Sequence, residues 1–369
     1  MPFSSHDAGI VVPGDGWGGM SGDGWRYEVP ADLVVVSAPE DDHHDTGPGH
    51  PERPERVRAA LAGIDAAGLG EAVRAVAPRL AADRELARVH RQSYLDAMRA
   101  FCRAGGGAVD PDTMTGPGSW DTAVQAAGGA LSAVEALRRG NGQAALVAMR
   151  PPGHHATSDQ AMGFCLLNNV AVAAASLVEA GERVMVVDWD VHHGNGTQSI
   201  FWDDPRVLYV STHQSPLFPG TGRAEETGGP GAPGSTINIP LPAGATGDVL
   251  LAAFDHVVAP AAERFAPGWV LVSAGYDGHR RDPLADLRLT AGDYADLTTR
   301  VQAMAPGPGR TVLVLEGGYD VEAVTLSVGA SAAALLGHPY RPEAASNGGP
   351  GKDAVAAAER VHHEVAGRS

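Results

Sequence analysis

Cysteine is nearly missing from this chain: Cys102 and Cys165 are the 2 present in 369 residues. That is too few for a disulfide framework or a thiolate zinc cluster, so any metal must be held by imidazole and carboxylate, and a reducing, cytoplasmic setting is expected. Positive charge is also scarce, with 27 Lys and Arg against 44 Asp and Glu and a formal charge of -17. No basic run occurs, which argues against a surface built to neutralise phosphates and hence against nucleic acid as a partner. Long apolar stretches are absent too, none approaching the roughly 18 residues of a membrane span. The N-terminus, with Asp7 and Asp15 among many glycines, has neither the positive nor the apolar region of a secretory leader. No Gly-x-Ser-x-Gly elbow and no Gly-x-x-x-x-Gly-Lys-Ser/Thr loop occurs, which leaves out two common hydrolase and nucleotide sites.

What is present is an ordinary globular composition, 44% hydrophobic and 19% charged, in a length compatible with one large domain around one sheet. Short β-branched runs recur at Leu33 to Ser37, Ala145 to Ala148, Val184 to Val187, Val207 to Ser211, Val270 to Ser273 and Thr311 to Leu315, and each reads as a buried strand. Between them lie Ala-rich segments with helical spacing: Thr122 to Arg138, Asn169 to Ala180, Asp248 to Arg264 and Ala291 to Met304. Such alternation predicts an α/β fold, a single-domain, mainly parallel sheet flanked by helices on both faces. Residues 1 to 30 read as an irregular arm with room for subunit contacts in a homo-oligomer. Residues 31 to 340 form the domain, Gly228 to Gly234 a surface loop, and 341 to 369 a loosely packed tail.

In this architecture chemistry gathers at the carboxyl ends of the strands, and every unusual polar cluster falls at one. Arg150 to His155, Asp188 to His193, Ser211 to His213, Tyr276 with Asp277, and Glu316 to Tyr319 each follow a predicted strand. Along an extended strand end Asp188, Asp190 and His192 alternate with Trp189 and Val191, so two carboxylates and an imidazole share one side. Asp277, at another strand end, can complete a set of oxygen and nitrogen ligands that suits Zn²⁺. Burying several carboxylates without a cation would cost several kcal/mol each, so their convergence calls for metal. His154 and His155 stand together on a tight turn after Pro151-Pro152-Gly153, one able to act as a base and the other as an electrostatic partner. Tyr319 ends a glycine turn and can donate to an oxyanion. His43-His44 and His362-His363 read as solvated pairs, and Cys165, between Phe164 and Leu166, as a buried packing thiol.

Taken together, these segments resemble the histone deacetylase and acetylpolyamine amidohydrolase superfamily. Asp-Trp-Asp-Val-His-His-Gly-Asn-Gly-Thr-Gln at 188 to 198 is most similar to its class II branch and bacterial relatives. The likeness spans roughly 31 to 340 and includes His50 to Arg56, Arg150 to Ala156, Met162 to Cys165, Phe218 to Gly222 and Glu316 to Tyr319. It implies the arginase-deacetylase fold and a zinc-dependent deacetylase, acting on acetyl-lysine or on acetylated polyamine-like molecules.

Carried over residue by residue, the resemblance makes Asp190, His192 and Asp277 the ligands of one zinc ion, His154 and His155 the tandem histidines and Tyr319 the oxyanion donor. Phe164 and Phe218, with Gly163, line a narrow acyl channel, and Asp112 matches a carboxylate at its rim. Asp188, backbone oxygens of Asp190 and His192, Ser211 and Thr212 match a structural potassium site. Asn195 stands where class I members carry Asp. A neutral amide does not raise the pKa of His155, so that imidazole is expected to remain a neutral base, while His154 beside Asp188 is expected to be cationic. Leu284 replaces the glutamate that marks the polyamine-selective type. A two-metal ureohydrolase and a catalytically silent binder of acylated lysine are the rival readings, separated by a metal count and a turnover assay.

Overall fold

Each β-branched run is apolar on both of its faces, so it is stable only inside a sheet covered twice, and that is where the computed structural model places it. The structure describes residues 32–367; the arm expected over 1 to 30 lies outside them. In chain order the strands are β1 (Leu33–Val36), β2 (Val73–Val76), β3 (Gly107–Ala108), β4 (Met114–Thr115) and β5 (Ala144–Val147). Then follow β6 (Val184–Asp188), β7 (Val207–Gln214), β8 (Thr236–Leu241), β9 (Trp269–Ala274) and β10 (Thr311–Leu315). Strands β3 and β4 make a small antiparallel pair. The other 8 form one sheet in the order β2-β1-β5-β10-β9-β6-β7-β8, parallel at every pairing.

The period-two alternation of the strands divides the core into two layers. Val35, Leu146, Val187, Val272 and Leu313 face helices Glu55–Ala66, Ala291–Ala303 and Val321–Leu335, while Val34, Val147, Val186, Leu271 and Val314 face helices Ser119–Arg138 and Asn169–Glu179. Six strands stand where the apolar runs predict them, five to within a residue, while β7 runs on three residues past Ser211 to Gln214. Two of the sheet's strands escape the pattern. In β2 Arg74 and Ala75 are exposed, and β8 carries Asn238 and Pro240, which read as loop; both lie at sheet edges, where polar residues and proline are tolerated.

The continuous helix expected over 248 to 264 is three pieces, Gly247–Ala253 and Ala259–Phe265 flanking a π turn at Phe254–Val258. Pro260 supplies no N–H to the ladder, and the wider turn before it accommodates the loss.

The tail is not loosely attached. Arg341 pairs with Asp296, Glu343 with His279 and Arg280, and the Ser346 hydroxyl donates to Asp293. Helix Lys352–Ala366 then lays Val355, Ala358 and His362 on the edge of the sheet at β8. Those residues recur at helical spacing, so the segment buries an apolar stripe and covers an edge that would otherwise be open. His362 is therefore buried rather than solvated. So is His44, whose Nδ1 lies 2.7 Å from Ser119 Oγ. Among the described residues no helix is long and apolar enough to cross a membrane.

Candidate active site

The strand order explains how distant sequence segments meet. Strands β5, β10, β9 and β6 are consecutive neighbours at the middle of the sheet, and the loops leaving their carboxyl ends carry His154 and His155, Glu316 to Tyr319, Asp277, and Asp188 to His192. Ser211 stays alongside because it pairs in register with Asp188.

Asp190, His192 and Asp277 converge, each with a ligand atom within 4.8 Å of the others. The imidazole Nδ1 of His192 lies 3.1 Å from both Asp190 Oδ1 and Asp277 Oδ2. Backbone N–H groups fix the carboxylates from behind: Gly317 donates to Asp190 Oδ2 at 2.8 Å and Val191 to Asp277 Oδ1 at 2.9 Å. A Cβ on Gly317 would lie 2.0 Å from Asp277 Oδ2, so only glycine lets the β10 loop approach this closely. Burial opposes a charged imidazole, yet hydrogen bonds and attraction from Asp190 and Asp277 carry His192 up to about 10. A pair of buried carboxylates that draws a proton so strongly would draw a divalent cation in its place, and the open donor set of two oxygens and one nitrogen fits zinc.

The tandem histidines differ in environment. Both are buried, at 3% exposure each. His154 Nδ1 sits 3.0 Å from Asp188 Oδ2, and despite burial that carboxylate raises its pKa to about 10. His155 Nδ1 sits 2.8 Å from Asn195 Oδ1, while the Asn195 amide nitrogen turns to Met162 Sδ. Burial, then the neighbouring His154 and His192, push His155 well below the usual imidazole range. Since Asn195 Oδ1 only accepts, the proton of neutral His155 resides on Nδ1 and Nε2 keeps its lone pair.

Tyr319 is held by its backbone N–H, which donates to Asp282 Oδ2 at 2.7 Å, and by its ring, which lies 5.0 Å from the Arg56 guanidinium. Burial and the nearby Asp277 raise its pKa well above the usual phenol value, so its hydroxyl remains a donor.

Aromatic walls lead outward from this point. Phe218 meets His155 edge-on at 5.0 Å between ring centroids, Phe164 meets Tyr319 at 5.7 Å, and His50 meets Phe164 at 4.8 Å. Gly163 has φ +55, and a Cβ there would lie 2.5 Å from His155 Cδ2 and 2.9 Å from Phe218 Cε1. Phe218 and Leu284 are partly exposed. Asp112 is exposed and tied to the wall through Thr113, whose hydroxyl accepts from the Phe164 N–H.

Around Asp188 the structure assembles oxygen. Asp188 Oδ1 accepts from the Asp190 N–H, Oδ2 accepts from Tyr209, and Ser211 lies opposite, its hydroxyl 2.9 Å from His213 Nδ1. Strand alternation turns the Thr212 side chain to the other face, where its buried hydroxyl has no partner among the described residues, so toward Asp188 it can offer only its carbonyl.

Several supporting residues carry no role in the sequence reading. Buried Glu52 bridges Arg56, at 3.0 Å, and Arg150, at 2.6 Å. Arg56 in turn donates to the carbonyls of Gly318 and Glu316, and Arg150 to Asp42 and to the His44 carbonyl. One ion network therefore ties the Tyr319 turn to the loop of the tandem histidines. The i, i+4 spacing of Glu52 and Arg56 is visible in the sequence, but their burial is not. Asp282 is a further addition; burial and Asp277 raise it to about 7. Cys165 is buried and its thiol pushed well up by burial, as expected of a packing residue.

Comparison with known proteins adds a second line. Residues 50–335 match the histone deacetylase domain. A probable deacetylase of Archaeoglobus fulgidus is 42% identical over 284 residues, 76% of this chain and 79% of the relative. The histone deacetylase-like amidohydrolase of Pseudomonas aeruginosa is 41% identical over 277 residues, 74% of this chain and 73% of that protein. The crystal structure of the HDA15 HD domain superposes with a TM-score of 0.83 at 34% identity, covering 90% of this chain and 95% of that one.

Proposed function

This chain belongs to the histone deacetylase family, and we propose that it is a zinc-dependent amidohydrolase that removes acetyl or a similar small acyl group from an amine. The observation that carries the proposal is the convergence of Asp190, His192 and Asp277 beside a neutral, buried imidazole, with the His155 and His192 rings 5.9 Å apart. Zinc held by those three side chains would supply a Lewis acid for the amide carbonyl and lower the pKa of a water from 15.7 to about 7.

The remaining work falls to the chain itself. His155 Nε2, unprotonated because Nδ1 is committed to Asn195, takes the proton of the attacking water and returns it to the departing amine. The Tyr319 hydroxyl donates to the carbonyl oxygen as that atom gains negative charge. His154, kept cationic by Asp188, adds positive potential to the same region. Phe164, Phe218 and Gly163 enclose a slender acyl chain and exclude water, and Asp112 at the rim accepts from donors on the substrate. Asp188 and Ser211, with backbone oxygens of Asp190, His192 and Thr212, form an oxygen set suited to a structural potassium ion.

Acetylated lysine of proteins and acetylated polyamine-like molecules both fit such a channel, and Leu284 in place of a carboxylate favours the former. Purified protein tested on acetyl-lysine peptides and on acetylspermidine, with zinc content measured in parallel, examines the proposal. Turnover of a peptide with about one zinc per chain is expected; turnover of neither substrate by zinc-loaded protein would refute it.

A further inference from the structure

At the amino ends of the strands, the pole opposite the crevice, Arg183 just before β6 and Arg264 in the helix Ala259–Phe265 line a cavity of about 360 Å³. Strand β6, five residues long, alone separates the two poles by roughly 15 Å at about 3.3 Å per residue. Among the described residues no carboxylate lines the cavity. Among the described residues neither guanidinium makes an ion pair or hydrogen bond; Arg183 instead stacks over the Phe265 ring at 4.3 Å.

A third group points the same way. His362 lines the cavity, is 6% exposed, and among the described residues its buried Nε2 has no hydrogen-bond partner. A buried polar atom without a partner is costly and rare, and a slight turn of the ring toward a ligand oxygen in the cavity would satisfy it. An apolar wall is supplied by the half-buried Phe265 ring, over which Arg183 stacks, and by the exposed Pro205 and Pro233. Unpaired guanidiniums recognise carboxylate and phosphate oxygens, and an apolar wall selects ligands with a hydrocarbon body.

We propose that this cavity binds a small organic anion, its charged end between Arg183 and Arg264 and its short apolar body on Phe265, Pro205 and Pro233. The site is independent of the catalytic reading, since it shares no residue with the crevice. The apolar wall predicts that a six-carbon carboxylate binds more tightly than acetate or inorganic phosphate.

Isothermal titration of the full chain with hexanoate, acetate and inorganic phosphate tests this, beside the double variant R183Q/R264Q. Both side chains are exposed and unpaired, so the variant is expected to fold as the parent does. Saturable binding of hexanoate, weaker binding of the other two, and a loss of about tenfold or more in the double variant are expected, as for two lost charge-assisted contacts. Absence of saturable binding at about 10 mM hexanoate, a factor beyond even millimolar affinity, would overturn the proposal. So would inorganic phosphate binding as tightly as hexanoate, or binding that the double variant leaves unchanged, which is how a carboxylate held in the catalytic crevice would behave.

Discussion

The carboxylate of Glu316 accepts hydrogen bonds from the backbone N–H groups of Gly153, at 2.6 Å, and His154, at 3.2 Å. A residue at the end of β10 thereby holds the loop after β5 in the position where its imidazoles meet the donors from β6 and β9. Its other oxygen accepts from Ser273 Oγ at 3.1 Å, so the carboxylate is satisfied at both ends.

Glu316→Ala should leave two buried N–H groups unpaired, at a cost of about 1–3 kcal/mol each. Thermal unfolding is expected to move down accordingly and kcat to fall while zinc content is kept. Glu316→Gln, which preserves an acceptor, should recover most of both losses. Equal behaviour of the two variants would show that the hydrogen bonds do not position the loop.

Asp277→Ala and Tyr319→Phe should fail in different ways. The first removes one of the three proposed zinc donors and is expected to abolish zinc retention, read by elemental analysis. The second touches no donor and should keep zinc while turnover drops about 10²- to 10³-fold, as when one oxyanion donor is lost.

Asn195→Asp places a carboxylate 2.8 Å from His155 Nδ1, where an amide oxygen now stands. A negative neighbour stabilises imidazolium, so the pKa of His155 rises from its depressed value. More of the base is then protonated at a given pH, and the acid limb of kcat/KM should shift to higher pH in the variant. A limb that stays put would mean that His155 does not set it.

Glu52 tests the buried ion network through stability. Burial alone would raise its pKa, but Arg150 and Arg56 hold it at about 2, against 4.5 for the free group. A depressed carboxylate stabilises the fold fully above its unfolded pKa, and that contribution, of order 3 kcal/mol, is lost as pH falls from about 4.5 toward 2. Glu52→Gln should flatten this part of the acid-unfolding curve. It should also lower stability near neutral pH by about 3–5 kcal/mol, because two buried guanidiniums lose their shared partner. Denaturant titration at several pH values measures both effects.

Much of this arrangement is legible in the sequence. The strands that carry chemistry are continuous apolar runs, and Asp188 to His192 is a polar string at the end of one, so periodicity alone marks it. The two strands of the large sheet that were not legible, β2 and β8, are its edge strands, whose residues also suit a loop. The packed tail was misread because Val355, Ala358 and His362 recur at helical spacing in a segment otherwise polar, and only β8 gives that stripe something to cover.

Residue types and their local spacing determined an α/β sheet, a donor set of two carboxylates and an imidazole, and a pair of adjacent histidines at one turn. Tertiary structure alone decided that β9 and β10 insert between β5 and β6, which brings Asp277 to His192, 85 positions away, and Tyr319 to Phe164, 155 positions away. It also decided that Glu52, Arg56, Arg150 and Glu316 are interior rather than surface charges. The reason is one of range: hydrophobic periodicity reports which face of an element is buried, whereas which elements become neighbours, and which charges lose water together, depends on packing between segments distant in the chain.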